Sequence, residues 1–295
     1  MSKHAYLIMA HNEPRLLKLL LHALDHPDND IYLHIDKKVE LLPDAEIMDA
    51  VVLATVKIYR QFSVAWGGDT QIKCELFLLQ KAVETEHVYY HLLSGVDIPL
   101  LPQDAIHAFF SENRSCNYVS INRKASESLD FIHRIQYYRL FQNRIGRISS
   151  DSPISSRLMN KAESISLRIQ KLFSINRIKT NPYSLYKGSN WFSITHDFAI
   201  YLLGKQHQIF KYFGYSIGAD EVFLQSIIMS SEYAESAFLD NLRYVDWSES
   251  DLPGAPKTLG MQDYDSILNS GKLFARKFST HKDEKVILRL YSRLE

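Results

Sequence analysis

Short apolar runs alternate with segments of helical period along the first third of the chain. Runs at 5–10, 31–35, 51–58 and 89–93 are rich in Ile, Leu, Val and Tyr and read as buried strands. Segments 14–24 and 70–83 repeat their apolar positions every three or four residues and read as helices. This βαβαβ order predicts an α/β fold with a mostly parallel sheet, whose ligands collect in the loops beyond the carboxyl ends of the strands. The unusual residues fall in those loops: His11-Asn12-Glu13-Pro14, His34-Ile35-Asp36-Lys37-Lys38, Val64-Ala65-Trp66-Gly67-Gly68 and Ser94-Gly95-Val96-Asp97-Ile98-Pro99.

From about 122 to 180 the pattern turns helical and dense in Arg, Ser and Ile, with Arg134, Arg139, Arg144, Arg147, Arg157, Arg168 and Arg177. Two readings stay open, a solvated helical excursion over the sheet or a basic face for an anionic or lipid-linked acceptor. Beyond it come Lys187-Gly188-Ser189-Asn190-Trp191-Phe192, then Gly218-Ala219-Asp220-Glu221 at the expected start of another helix, and finally Leu273-Phe274-Ala275-Arg276-Lys277-Phe278. The whole, 1–295, reads as a single domain: a nucleotide-binding half at 1–121, the excursion at 122–180 and a catalytic half at 181–295.

Composition narrows the picture. Of 295 residues 46% are apolar, enough to build a substantial core, which argues against disorder. Basic and acidic residues balance at 34 each, so no global field draws nucleic acid; a nucleic-acid-binding rival would have to rest on the Arg-rich excursion alone. Cys74 and Cys116 lie in no metal or redox spacing. No export signal and no run of bilayer-spanning length is read, so the expected location is the cytoplasm, with peripheral contact at the inner membrane surface left open.

The candidate chemistry is sugar transfer with inversion, which needs one carboxylate to take the acceptor's proton. Asp220 and Glu221 stand where a helix dipole would favour an ionised carboxylate, although acids there equally suit plain capping of the first turn. A departing nucleoside diphosphate needs a divalent cation or fixed cationic side chains. The metal solution usually leaves an Asp-x-Asp after a central strand, and here Asp97 stands alone. Asp28-Asn29-Asp30 and Asp263-Tyr264-Asp265 read as turn or cap chemistry. Arg276, Lys277 and Lys257 supply charge in its place. Phosphate-loop, dinucleotide, nucleophile-elbow and zinc-helix motifs are missing, and pairs such as His87 and His91 read as core or surface residues.

Taken in order, these segments resemble the core-2/I-branching β-1,6-N-acetylglucosaminyltransferase family, which also includes the peptide O-xylosyltransferases. The resemblance covers nearly the whole chain and is of the bacterial type, without the membrane anchor and many cysteines of animal members. It implies a GT-A-like fold and inverting transfer from a UDP-sugar, commonly UDP-N-acetylglucosamine, with no divalent metal or other cofactor. It places uridine contacts on Met9, Ala10 and His11 and further nucleotide contacts on Asp36, Lys37 and Lys38. The catalytic base falls on Glu221, with Asp220 in support. The diphosphate cation falls on Lys277, and its partner arginine on Lys257, a departure because lysine is a point charge without arginine's bidentate fork. An aromatic that precedes the tryptophan in animal members is replaced near Ser63.

The expected partners are therefore a UDP-sugar and a glycan or lipid-linked acceptor, in a pathway such as cell-envelope polysaccharide synthesis. Ser189, Asn190, Trp191 and Trp247 are candidate substrate-binding residues, with core packing an equal reading for each tryptophan. Transfer of xylose by the same machinery, and a non-catalytic sugar-binding relative, are the alternatives.

Overall fold

The computed structural model describes residues 3–147, 152–249 and 254–294. Ten strands are present among the described residues: β1 His4–Ala10, β2 Asn29–Ile35, β3 Thr55–Tyr59, β4 Tyr89–Ser94, β5 Ile98–Pro99, β6 Asn117–Tyr118, β7 Ser193–Thr195, β8 Ala237–Phe238, β9 Arg243–Val245 and β10 Phe274–Arg276. The main sheet runs β3-β2-β1-β4-β7-β6-β8, with its first four strands mutually parallel and β7 antiparallel to both neighbours. A small sheet, β5-β10-β9, stands beside it.

The period-2 pattern of β1 divides the core. Ala5 and Leu7 face one layer with Leu76 and Leu79 of the helix Asp69–Ala82, while Tyr6, Ile8 and Ala10 face the other with Leu17, Leu20 and Leu21 of the helix Pro14–Ala23. The expected strand at 51–58 starts late. The carboxylate of Asp25 accepts the amides of Val52, Leu53 and Ala54 at 2.9, 2.7 and 2.8 Å, so these groups are satisfied locally and residues 51–54 form a turn. Arg243 joins the two sheets: its guanidinium, fully enclosed, donates to Leu92 O at 3.2 Å, Phe192 O at 2.6 Å and Ser193 Oγ at 2.8 Å.

The excursion is helical as expected, with helices Arg123–Ser126, Leu129–Gln136, Gln142–Ile145 and Ile154–Leu172 and a 3₁₀ turn Arg177–Thr180; residues 148–151 lie outside those described. Its arginines do not all share one face. Arg177 is buried, stacked 4.3 Å from the Tyr138 ring and donating to Tyr212 O, Gly214 O and Ser216 Oγ, and Arg134 pairs with Asp130.

Candidate active site

β1 and β2 end side by side, and their loops are tied by backbone bonds. The amide of Asp36 donates to Ala10 O at 2.9 Å and that of Lys37 to Phe62 O at 2.9 Å. The buried Asp36 carboxylate accepts the amides of Lys38 at 2.9 Å and Val64 at 3.2 Å, and the Lys38 ammonium reaches Val64 O at 2.6 Å. Met9, Ala10, His11, Asp36, Lys37 and Lys38 are thus gathered at one edge, with His11 exposed on the rim. β4 closes the edge: Gly95 N donates to Met9 O at 3.0 Å, and a Cβ on Gly95 would stand 2.9 Å from that of Ala10, so only glycine fits this approach.

Glu13, which sequence reasoning passed over, anchors this edge to the C-terminal part. Its buried carboxylate accepts the hydroxyls of Ser279 and Thr280 at 2.5 and 2.6 Å and the Thr280 amide at 3.1 Å. Burial opposes its ionised form, but these bonds outweigh burial and hold it below the usual carboxylate range.

Asp97, the lone acid after β4, is completely buried. It accepts the Ser94 amide at 3.0 Å and the Ser94 hydroxyl, and the Nε of Arg276 lies 3.1 Å away. The Arg276 guanidinium then lies 4.2 Å over the Trp191 ring. Trp191 is buried with a face covered, so of the two roles open to it, packing is the one seen; Trp247 is 61% exposed. Lys277 continues from β10. Its carbonyl accepts the Leu259 amide at 2.9 Å and the next amide, of Phe278, donates to Val96 O at 3.1 Å, which seats it between the Lys257 segment and the loop after β4.

Lys257 departs from the expectation of an available cation. Its ammonium lies 2.8 Å from Asp263, 3.7 Å from Asp246 and 3.8 Å from Glu249, and the hydrogen bond to Asp263 above all raises its pKa. Asp263 also accepts the Gly260 amide at 2.9 Å, the cap chemistry expected of it. Asp30, by contrast, sits in β2 and binds Lys3 and His87 at 2.9 Å each.

Asp220 and Glu221 do not open a regular helix. They occupy a 3₁₀ turn, Ala219–Glu221, entered through Gly218 at φ 67°; Val222 breaks the geometry and the α-helix starts at Phe223. The turn docks on the start of the helix Asp69–Ala82, which as the element after a parallel strand begins at the carboxyl edge of the sheet. Gly218 N donates to Gly67 O at 2.9 Å, and Gln71 Nε2 to Asp220 Oδ2 at 3.0 Å. Asp220 is buried with Oδ1 unpaired; burial first, and then the charge of Glu221, push its pKa up to about 7, the reverse of the ionised form expected from a helix dipole. Glu221 remains a third exposed, its carboxylate 3.6 Å from the Lys187 ammonium.

Glu75 completes the group. It is buried, accepts Asn190 Nδ2 at 3.3 Å, has its other oxygen unpaired, and is held well above the usual carboxylate range by burial and by the charge of Asp220. The signal was present: Glu75 lies three residues after Ile72 and four before Leu79, on the apolar stripe of its helix, where an acid is out of place. Lys187, two residues before Ser189, had no such signal. Asn190 and Trp191, adjacent in sequence, link the carboxylate group to Arg276, so the segment around Ser189 runs between the two halves of the site. Among the described residues no three His, Cys, Asp or Glu side chains are grouped to hold a metal ion.

The loops at the carboxyl edge of the mostly parallel sheet thus bring a partly exposed carboxylate, Glu221, to a cationic side chain, Lys187. The family model for the Core-2/I-Branching enzyme matches residues 4–268, and the chain belongs to that family; the mostly parallel α/β sheet expected of it is present. It is similar to xylosyltransferase 2 of Rattus norvegicus, 24% identical over 96% of this chain and 32% of that protein, and of Homo sapiens, 23% identical over the same shares. Xylosyltransferase 1 of Rattus norvegicus is 21% identical over 98% of this chain and 35% of that protein. The chain therefore spans about a third of the length of these relatives. Among solved structures, mouse xyloside xylosyltransferase 1 in its apo form aligns with a TM-score of 0.40 at 10% identity, over 93% of this chain and 97% of that one.

Proposed function

We propose that this protein transfers a sugar, with inversion and without a divalent metal, from a UDP-sugar to a hydroxyl of a glycan or lipid-linked acceptor. The observation that carries the reading is the contrast between neighbours. Asp220 and Glu75 are buried and shifted toward their neutral forms, while Glu221 alone of the three opens to solvent beside Lys187. Glu221 takes the acceptor proton as the hydroxyl attacks the anomeric carbon, with Asp220, shifted toward its neutral form, beside it.

The nucleoside lies against Met9, Ala10 and His11, with Asp36 shaping the Lys37–Lys38 loop. Lys277 faces the departing diphosphate. Lys257 joins it by exchanging Asp263 for phosphate oxygens, so donor binding would reorder that ion cluster. Metal independence is supported by the pairing of Asp97 with Arg276, which places a fixed cation on the acid that would otherwise be a candidate metal ligand. Ser189, Asn190 and Trp247 are left to the sugars. The donor is read as UDP-N-acetylglucosamine; the names of the relatives, all xylosyltransferases, favour UDP-xylose as the second reading. Cell-envelope polysaccharide synthesis in the cytoplasm fits either.

Saturation with each UDP-sugar, followed by UDP release with and without chelator, tests the reading. Transfer should persist in excess EDTA. Loss of transfer restored by manganese would reject metal independence, and no UDP release with any donor would favour a non-catalytic sugar-binding role.

A further inference from the structure

The helix Ile154–Leu172 packs on the protein inside out. At 3.6 residues per turn, Ile154, Leu158, Ile165, Ile169 and Leu172 fall within a sector of about 60°, and each is between 50% and 80% exposed. Arg157, Lys161 and Arg168 form the adjoining row, and Lys161 and Arg168 are exposed. The face turned to the protein buries two polar side chains, Glu163 and Gln170, between half-buried Met159 and Leu167. Glu163 accepts the Phe141 amide at 3.0 Å, and Gln170 bridges Tyr138, accepting its amide at 2.8 Å and donating to its carbonyl at 2.9 Å. Glu163 and Gln170 are buried, so these bonds fix the rotation of the helix and hold its aliphatic stripe outward.

A monomeric protein gains nothing by exposing five aliphatic side chains in a row along one helix face. The stripe with basic residues along its flank has the form of a helix that lies in a membrane interface, aliphatics in the acyl region and cations at the headgroups. No helix among the described residues is long and apolar enough to cross a membrane. The same excursion reaches the site: Gln142 Nε2 donates to Trp66 O at 2.9 Å, Asn143 donates to Asp69, and the Arg147 guanidinium lies 4.6 Å over the Trp66 ring. We infer that Ile154–Leu172 docks the protein on the surface of an anionic lipid bilayer, which sets the cleft beside lipid-borne acceptors.

Sedimentation of the full chain with vesicles tests this without donor or acceptor, so its outcome is separate from that of the transfer assay. The wild type should bind vesicles of phosphatidylcholine containing phosphatidylglycerol, less as salt is raised, and bind phosphatidylcholine alone weakly. Ile165→Asp with Ile169→Asp should lower binding to the anionic vesicles by about tenfold or more, and Lys161→Glu with Arg168→Glu by at least about tenfold. All four side chains are exposed, so both variants should keep the wild-type melting temperature. Ile169→Trp gives an independent readout, its emission shifting to the blue on addition of anionic vesicles. Absence of binding by the wild type, undiminished binding by the Ile165→Asp/Ile169→Asp variant, or an emission from the Ile169→Trp variant that does not shift would overturn the inference. So would a wild-type dimer in solution that becomes monomeric in the double aspartate variant while vesicles are ignored, which would assign the stripe to a second copy of the chain.

Discussion

At the nucleotide edge, Asp36 meets two backbone amides and Ala10, Phe62 and Val64 offer their carbonyls, so the geometry of that loop is written in main-chain bonds between strand ends. At the carboxylate edge, Asp220, Glu75 and Glu221 are held by side chains from two distant segments, at 71 and at 187–190, and two of their oxygens have no partner. The first arrangement positions a ligand and tolerates little movement. The second stores unfavourable electrostatics, since buried carboxyls without full hydrogen bonding are costly and persist because the surrounding core enforces them. The proposed function takes binding to one edge and proton chemistry to the other.

Substitution should separate the two. Glu221→Gln should lower kcat by about 10²–10⁴-fold with donor binding little changed; retention of near-normal turnover would remove it from the base role. Arg276→Gln leaves the buried Asp97 without its cation and should cost about 3–5 kcal/mol of stability, whereas Asp97→Asn combined with it should recover much of the loss in denaturant titrations. If the single variant is as stable as the wild type, the ion pair is not what holds the loop after β4.

Asp220 supplies a test by pH. Its carboxyl ionises near about 4 in the unfolded chain and near about 7 when folded. Between those values the folded state binds more protons, so its contribution to stability falls as pH rises through that window and levels off above it. Asp220→Asn removes this slope, and relative to the wild type it should gain about 2 kcal/mol between pH 5 and pH 7, read from melts at each pH. Parallel pH profiles for the two proteins would show that Asp220 is ionised in the fold. The smallest effect is expected at Asp36→Ala, which frees the amides of Lys38 and Val64 and should raise the donor KM by about tenfold with kcat nearly kept. A drop in kcat instead would mean that the two edges are not independent.

The alternation of buried runs and helical periods was enough to place β1, β2, β4 and the helices between them, because a strand buried on both faces and a helix with one buried stripe leave unmistakable periods. It also brought the loops at 9–11 and 36–38 to one edge, since parallel strands must end together. Family resemblance added Glu221, which local reasoning could not distinguish from a helix cap. Tertiary structure alone decided the rest. It showed that Asp25 turns the run at 51–54 away from the sheet, that Lys257 is matched by three carboxylates, that burial shifts Asp220 toward its neutral form, and that Glu75 and Lys187 join Glu221 from positions far apart in the chain. Electrostatic character depends on which charges share a desolvated volume, and no spacing along the chain records that. Likewise the helical period at 122–180 was legible, but the side that 154–172 buries was set by Glu163 and Gln170 finding the backbone of residues 138–141, a choice made only when the helix docked.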